Sequence, residues 1–151
     1  MTSFVFRLEK VLRWRQAKLD LEQFALSRLT AECARWNAVL SKLQNAQARA
    51  EELTQTPAPV SGADLRALSS YREYLGQQRK AALDRRRECE TRMEAQRNRL
   101  LKARREHRLL EKLRQVRQAE WEAAVNREFE TLAAETYLAG WTARPRHDRV
   151  D

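Results

Sequence analysis

Eight consecutive residues, Gln55-Thr56-Pro57-Ala58-Pro59-Val60-Ser61-Gly62, hold two of the chain's three prolines and one of its three glycines. Each proline lacks the N–H that a helix interior needs and pushes the residue before it out of helical geometry, so no helix passes through this segment. On both sides of it Ala, Leu, Glu, Gln and Arg dominate, and these lose little side-chain freedom in a helix. Gly76 loosens the second half by about 1 kcal/mol relative to Ala. Otherwise nothing stops a helix until Gly140 and Pro145. The sequence therefore predicts one helix over about residues 4–54, a turn at 55–63, a second helix over about 64–138 and a flexible tail over about 140–151, in a single domain spanning 1–151. Ser61 with Asp64 three residues on reads as a capping box for the second helix.

Spacing then fixes how the helices meet. From Leu19 the first half alternates steps of three and four through Glu22, Leu26, Leu29, Cys33, Trp36, Leu40, Leu43, Gln47 and Ala50, which keeps one stripe facing a partner helix. Leu65, Leu68, Leu75, Ala82, Cys89, Met93, Leu100, Ala103 and Leu110 form a weaker stripe in the second half, broken by Arg72, Arg79, Arg86, Gln96 and His107. The fold class that follows is all-α: a long antiparallel two-helix coiled-coil hairpin with helix 2 longer than helix 1. With a turn centred near residue 59 or 60, facing residues have numbers summing to about 119, an estimate that rests on pairing equal helix lengths outward from the turn. This sets Leu19 beside Leu100, Leu26 beside Met93, Trp36 beside Ala82 or Leu83, and Leu53 beside Leu65. Phe4 then meets residue 115, and nothing in helix 1 covers residues past about 118, where each helical residue adds about 1.5 Å. Yet Trp121, Val125, Phe129 and Leu132 fall within about 80° of one another on a helical wheel. An uncovered apolar stripe of this kind points to a partner.

Composition excludes several classes of function. The apolar residues are scattered, and no run approaches the length of a membrane span. Arg7, Lys10, Arg13 and Arg15 give the N-terminus a faint transit-peptide character that Glu9 interrupts. Cys33 and Cys89 make neither a disulfide framework nor a metal-ligand spacing; they read as small seam residues, with Cys33 opposite residue 86, a turn from Cys89, in a reducing, cytoplasmic setting. His107 reads as a polar layer of the seam, and His147 lies in the Arg-Pro-Arg-His tail. Neither has a nucleophile or carboxylate arrangement that builds a pocket, and no glycine-rich phosphate loop is present. No catalytic residue, metal ligand or cofactor is expected, nor any small-molecule substrate.

The net charge of +9 is concentrated: residues 79–117 carry fifteen Lys or Arg against six Asp or Glu, so an acidic partner should be drawn there first. Nucleic acid is the alternative on charge grounds, since Arg85, Arg86, Arg87, Arg92, Arg97, Arg99, Arg104, Arg105 and Arg108 could neutralise phosphates. Against it, acids are interspersed, no aromatic stacking platform lies between Leu75 and Glu120, and no clean heptad run follows a basic region.

The opening Phe4-Val-Phe6-Arg7-Leu8-Glu9-Lys10-Val11-Leu12-Arg13-Trp14-Arg15 resembles the start of the FliJ family, the small coiled-coil proteins of the bacterial flagellar type III export apparatus. The break near one third of the chain, Leu68-Ser-Ser-Tyr71-Arg72-Glu73-Tyr74-Leu75, and Leu109-Leu110-Glu111-Lys112-Leu113-Arg114 before a basic and aromatic end follow that family's layout over nearly the whole sequence. The resemblance implies a non-enzymatic stalk or adaptor supporting flagellum assembly and motility. Its implied partners are the hexameric export ATPase, the cytoplasmic part of the membrane export gate, and export chaperones. It also implies a cytoplasmic location, peripherally associated with the inner face of the cell membrane at the flagellar base. Carried onto this chain, the ATPase-binding end comprises Phe4, Phe6, Arg7, Leu8, Val11, Leu12, Arg114, Arg117, Trp121, Val125 and Phe129, and the gate-binding residues are Tyr71, Tyr74 and Leu75. Trp14, off the main stripe, is a further residue that could face a partner. The other reading within the same machinery is the equivalent stalk of a non-flagellar injection system.

Overall fold

The structure, a computed structural model, describes residues 3–55 and 59–142. It contains two helices, α1 (Glu9–Gln55) and the longer α2 (Gly62–Thr142), which pack against each other as an antiparallel coiled-coil hairpin. Pro57 and the tail beyond Thr142 lie outside the described residues. The chain divides into two units, one of residues 16–105 and one of residues 1–15 with 106–151.

Within residues 16–105, the alternating stripe is the seam. Leu19, Cys33, Leu40 and Ala50 are buried from α1, and Leu75, Ala82, Cys89, Leu100 and Ala103 from α2. Leu19, Leu100 and Ala103 form one apolar cluster, with Leu26 packed against it. Two helices bury little, so the seam is thin, and polar layers fix its register. Gln96, buried from α2, donates through its side-chain amide to the Glu22 backbone carbonyl at 3.1 Å and to the Glu22 carboxylate. Across the seam Arg92 meets Glu32 at 2.6 Å, and the Thr30 hydroxyl contacts the Met93 sulfur at 3.9 Å.

Two sequence expectations are corrected here. Cys33 and Cys89 are not merely small seam residues: they are joined in a disulfide, with Cα atoms 5.8 Å apart. That bond places the facing sum nearer 122 than 119, close to one helical turn from the count made outward from the prolines. In this register residues 62–66 of α2 lie past the end of α1 at Gln55, and Leu65 is exposed rather than packed on Leu53, which is itself 64% exposed. Arg72, which seemed only to interrupt the stripe, has a use. Its guanidinium donates to the Ala50 carbonyl at 3.4 Å and to the Thr54 hydroxyl at 3.1 Å. The last turn of α1 has no basic residue of its own, and a cation at the carbonyl end of a helix is favourable.

The start of α2 carries the expected capping box. The Asp64 amide donates to the Ser61 hydroxyl at 3.2 Å, while the Ser61 amide and hydroxyl donate to the Asp64 carboxylate at 3.1 and 2.6 Å. The Ser61 side chain, then its backbone N–H, holds the Asp64 carboxyl below its usual value of 3.8. A carboxylate lowered on folding contributes stability that is complete above the unfolded value and is lost as pH falls through the lowered folded value. The first turn of α2 should therefore keep its protection at pH 5 and lose it only below about 3.8, where the carboxyl protonates. Hydrogen exchange at Asp64 and Leu65 measures this, and Ser61→Ala should make both amides exchange faster even at pH 7.

The other unit shows α1 starting later than expected. Residues 3–6 are not helical, and the helix begins at Glu9, whose amide donates to the Phe6 carbonyl at 3.1 Å. At the opposite end α2 continues through Leu138 and Gly140 to Thr142. One exposed glycine costs about 1 kcal/mol, which a helix with no other breaker absorbs. Leu12 and His107 are buried in this unit, and two ion pairs cross between its helices, Arg15 with Glu106 and Arg114 with Glu9 at 3.7 Å. His107 is the polar layer its position suggested, with Nδ1 3.5 Å from Glu111.

Candidate interaction surfaces

Among the described residues no group of His, Cys, Asp and Glu is clustered to hold a metal ion, and no helix is long and apolar enough to cross a membrane. The surfaces that can do chemistry are contact surfaces.

One lies in the unit containing the N-terminal segment. Residues 3–6 are not helical, so they are not bound to the ~1.5 Å per residue that a helical start would impose. Phe4 meets Trp121, ring centroids 6.0 Å apart and inclined by 50°, and not residue 115. Trp121 is thus half-covered by this chain's own N-terminus, correcting the expectation that it stands bare. Phe4, Phe6, Leu8, Leu113, Arg117 and Trp121 line a groove of about 830 Å³ beside this contact.

Around the groove, the residues expected at an ATPase-facing end separate into several kinds. Leu12 is buried in the seam and holds the helices together. Leu8 and Val11 are exposed, as is Arg7. Arg114 pairs with Glu9, and Arg117 with Glu120 at 2.9 Å. Beyond the groove Val125 is half-buried, whereas Phe129, Leu132, Tyr137, Leu138 and Trp141 are exposed. The apolar stretch without a mate thus starts near Phe129. Trp14 is exposed, with the Arg15 guanidinium 4.8 Å from its ring centroid.

The second surface lies in residues 16–105. Tyr71 and Tyr74 are exposed near the start of α2, but Leu75 is 4% exposed and belongs to the seam. The two tyrosines, three apart on one helix, are exposed, and Leu75 is not available to a partner.

The basic stretch of α2 is less available than its charge suggests. Arg85 pairs with Glu88 at 3.3 Å, Arg86 with Glu90 at 2.8 Å, Arg87 with Asp84 at 3.9 Å and Arg97 with Glu94 at 3.4 Å, all within the helix. Sequence reasoning overlooked a cationic row on the other helix, formed by Arg28, Arg35, Lys42 and Arg49. Its signal is the repeat of seven, masked in the sequence by the denser charge of α2.

Compared with known protein families, residues 4–130 match the flagellar FliJ protein. The match runs from the Phe4 contact through both helices to just past Phe129. No curated protein and no solved structure matches the chain.

Proposed function

The chain belongs to the FliJ family, a non-enzymatic component of the flagellar export apparatus, and from that premise we propose that it is a stalk whose N-terminal segment and distal α2 bind the hexameric export ATPase. The observation that carries this reading is the Phe4–Trp121 contact, with an apolar groove on one side and the exposed Phe129 stripe beyond it. An aromatic anchor beside an open apolar groove is the kind of feature on which binding energy concentrates. Leu8, Val11, Arg114 and Arg117 frame it. Tyr71 and Tyr74 form the contact for the cytoplasmic part of the export gate, with Leu75 setting their position from the seam. Export chaperones are the third class of partner, and peripheral attachment to the inner membrane face follows from engaging the gate.

The test is a binding titration of the whole chain at moderate salt against the purified flagellar export ATPase, the ATPase of an injection system, and duplex DNA of random sequence. Binding to the flagellar ATPase that outlasts added salt is the expected result, because an apolar anchor is not screened. Tight, salt-sensitive binding to DNA without ATPase binding would overturn the reading, and preference for the injection-system ATPase would reassign the stalk.

A further inference from the structure

On α1, within the unit of residues 16–105, Arg28, Arg35, Lys42 and Arg49 recur at every seventh position, and all four are exposed. Seven residues advance about 10.5 Å and return to within about 20° of the same direction, so the four make one ridge about 30 Å long. None of them has a hydrogen bond or ion pair among the described residues. The only carboxylate within a helical turn of the first three is Glu32, and Arg92 holds it at 2.6 Å. On α2, Arg85, Arg86, Arg87 and Arg97 each pair instead with a carboxylate on the same face.

The ridge is bordered by small side chains. Ser27, Ala31, Ala34, Ala38, Ser41 and Ala48 are all exposed beside it. Small residues let a second helix approach to the lower end of the usual 8–10 Å between axes. On the flank toward α2, Arg28 and Arg35 overhang a groove of about 510 Å³ floored by Ala25 and Leu29.

We propose that this face of α1 is a docking site for an acidic α-helix of a second protein, which lies along the ridge with a carboxylate at every seventh position. Both the charge and its spacing select this occupant. A helix carrying one Glu per heptad presents negative charge every ~10.5 Å, matching the ridge over its whole length. Duplex phosphates advance about 3.4 Å per step on each strand, so most would go unmet. Along the ridge from Arg28 to Arg49 the one aromatic side chain is Trp36, half-buried in the seam, and the exposed Phe24 stands alone a turn before Arg28, so no row of bases can stack along it. The site is separate from the surfaces assigned to the ATPase and the gate, and it stands or falls without them.

The experiment uses the whole chain and a fluorescent synthetic peptide of about four heptads, rich in Ala and Gln, with Glu at every seventh position. A control peptide has the same composition with its Glu residues, equal in number, spaced five apart, which scatters the charge around the helix. Anisotropy at low salt should show the heptad peptide binding at least about tenfold tighter than the control. Replacing Arg28, Arg35, Lys42 and Arg49 together by Ala should weaken it by roughly thirtyfold, since each exposed pair is worth up to about fivefold. Ala favours helix, so circular dichroism should be unchanged, and changing the three arginines to Lys should keep affinity within about threefold. Equal binding of the two peptides, no binding, or an indifferent quadruple variant overturns the proposal. Tighter binding of a random duplex than of the heptad peptide, lost in the same variant, would make the ridge a nucleic-acid surface instead.

Discussion

Reducing the Cys33–Cys89 disulfide should cost the hairpin of residues 16–105 about 4 kcal/mol, the value the chain-entropy treatment gives for opening a loop of this length, the two cysteines being 56 residues apart. That is large beside the few kilocalories a thin two-helix seam can spare. Both sulfurs sit in the seam, with Cys89 wholly buried, so oxidation adds a covalent link to a contact that packing already makes. The clean comparison is one sequence, oxidised and reduced, because Cys→Ala at either position would also remove buried volume. Urea unfolding followed by circular dichroism, with and without reductant, should show the midpoint falling on reduction. Faster migration of the oxidised chain on a denaturing gel, with no dimer band, identifies the link as internal. In a reducing compartment the pair is held as thiols, so protein kept reduced throughout purification should resemble the less stable form. A difference below about 1 kcal/mol would mean that the seam alone confines the two helices in the unfolded ensemble as well.

That the cysteines lie opposite each other was nearly legible in the sequence, and the way it was missed is instructive. Two prolines and a glycine place the turn, and absence of other breakers gives both helices, so the hairpin follows from backbone chemistry alone. Counting outward set Cys33 opposite residue 86, one turn from its true partner. The count assumed that the connection divides equally between the helices, whereas the seam register leaves residues 62–66 of α2 beyond Gln55. A turn's height along a helix axis depends on its backbone path, which residue types do not specify. The buried Gln96 and its bond to the Glu22 carbonyl illustrate the same limit. A glutamine on a weak stripe reads as a defect until the opposite carbonyl is located.

At the other unit the missing information was conformational. Periodicity carried Phe4 and Leu8 into helix 1, because an apolar residue four positions before another suits a helix. Residues 3–6 are instead non-helical, and Phe4 meets Trp121. Among the candidate residues, burial separates those that hold the fold, Leu12 and Leu75, from those that stand exposed, Phe129, Tyr71 and Tyr74. Burial of one residue on a shared stripe and exposure of the next depend on where the opposite helix stops.

This separation makes the proposed ATPase contact testable with two variants that should behave differently. Phe129 is 48% exposed, and no described residue pairs with it through a ring contact. Phe129→Ala should leave the thermal midpoint and the helical signal unchanged, since Ala is the better helix former. It should nevertheless weaken binding to the export ATPase by about tenfold, roughly the 1.4 kcal/mol expected of an aromatic contact at an interface. Trp121→Ala should weaken binding and also loosen this chain's own N-terminal segment. It removes the platform on which Phe4 rests, so the N-terminal segment loses its anchor, and binding should fall by about thirtyfold or more, as for an aromatic hot spot. A fluorescent label at Ser3 would report the loosened segment as a drop in anisotropy, with the far-UV spectrum still helical. Unchanged ATPase affinity in Phe129→Ala would limit the binding surface to the groove at Phe4 and Trp121. Unchanged affinity in both variants would remove the ATPase from the groove at Phe4 and Trp121 and from the Phe129 stripe alike.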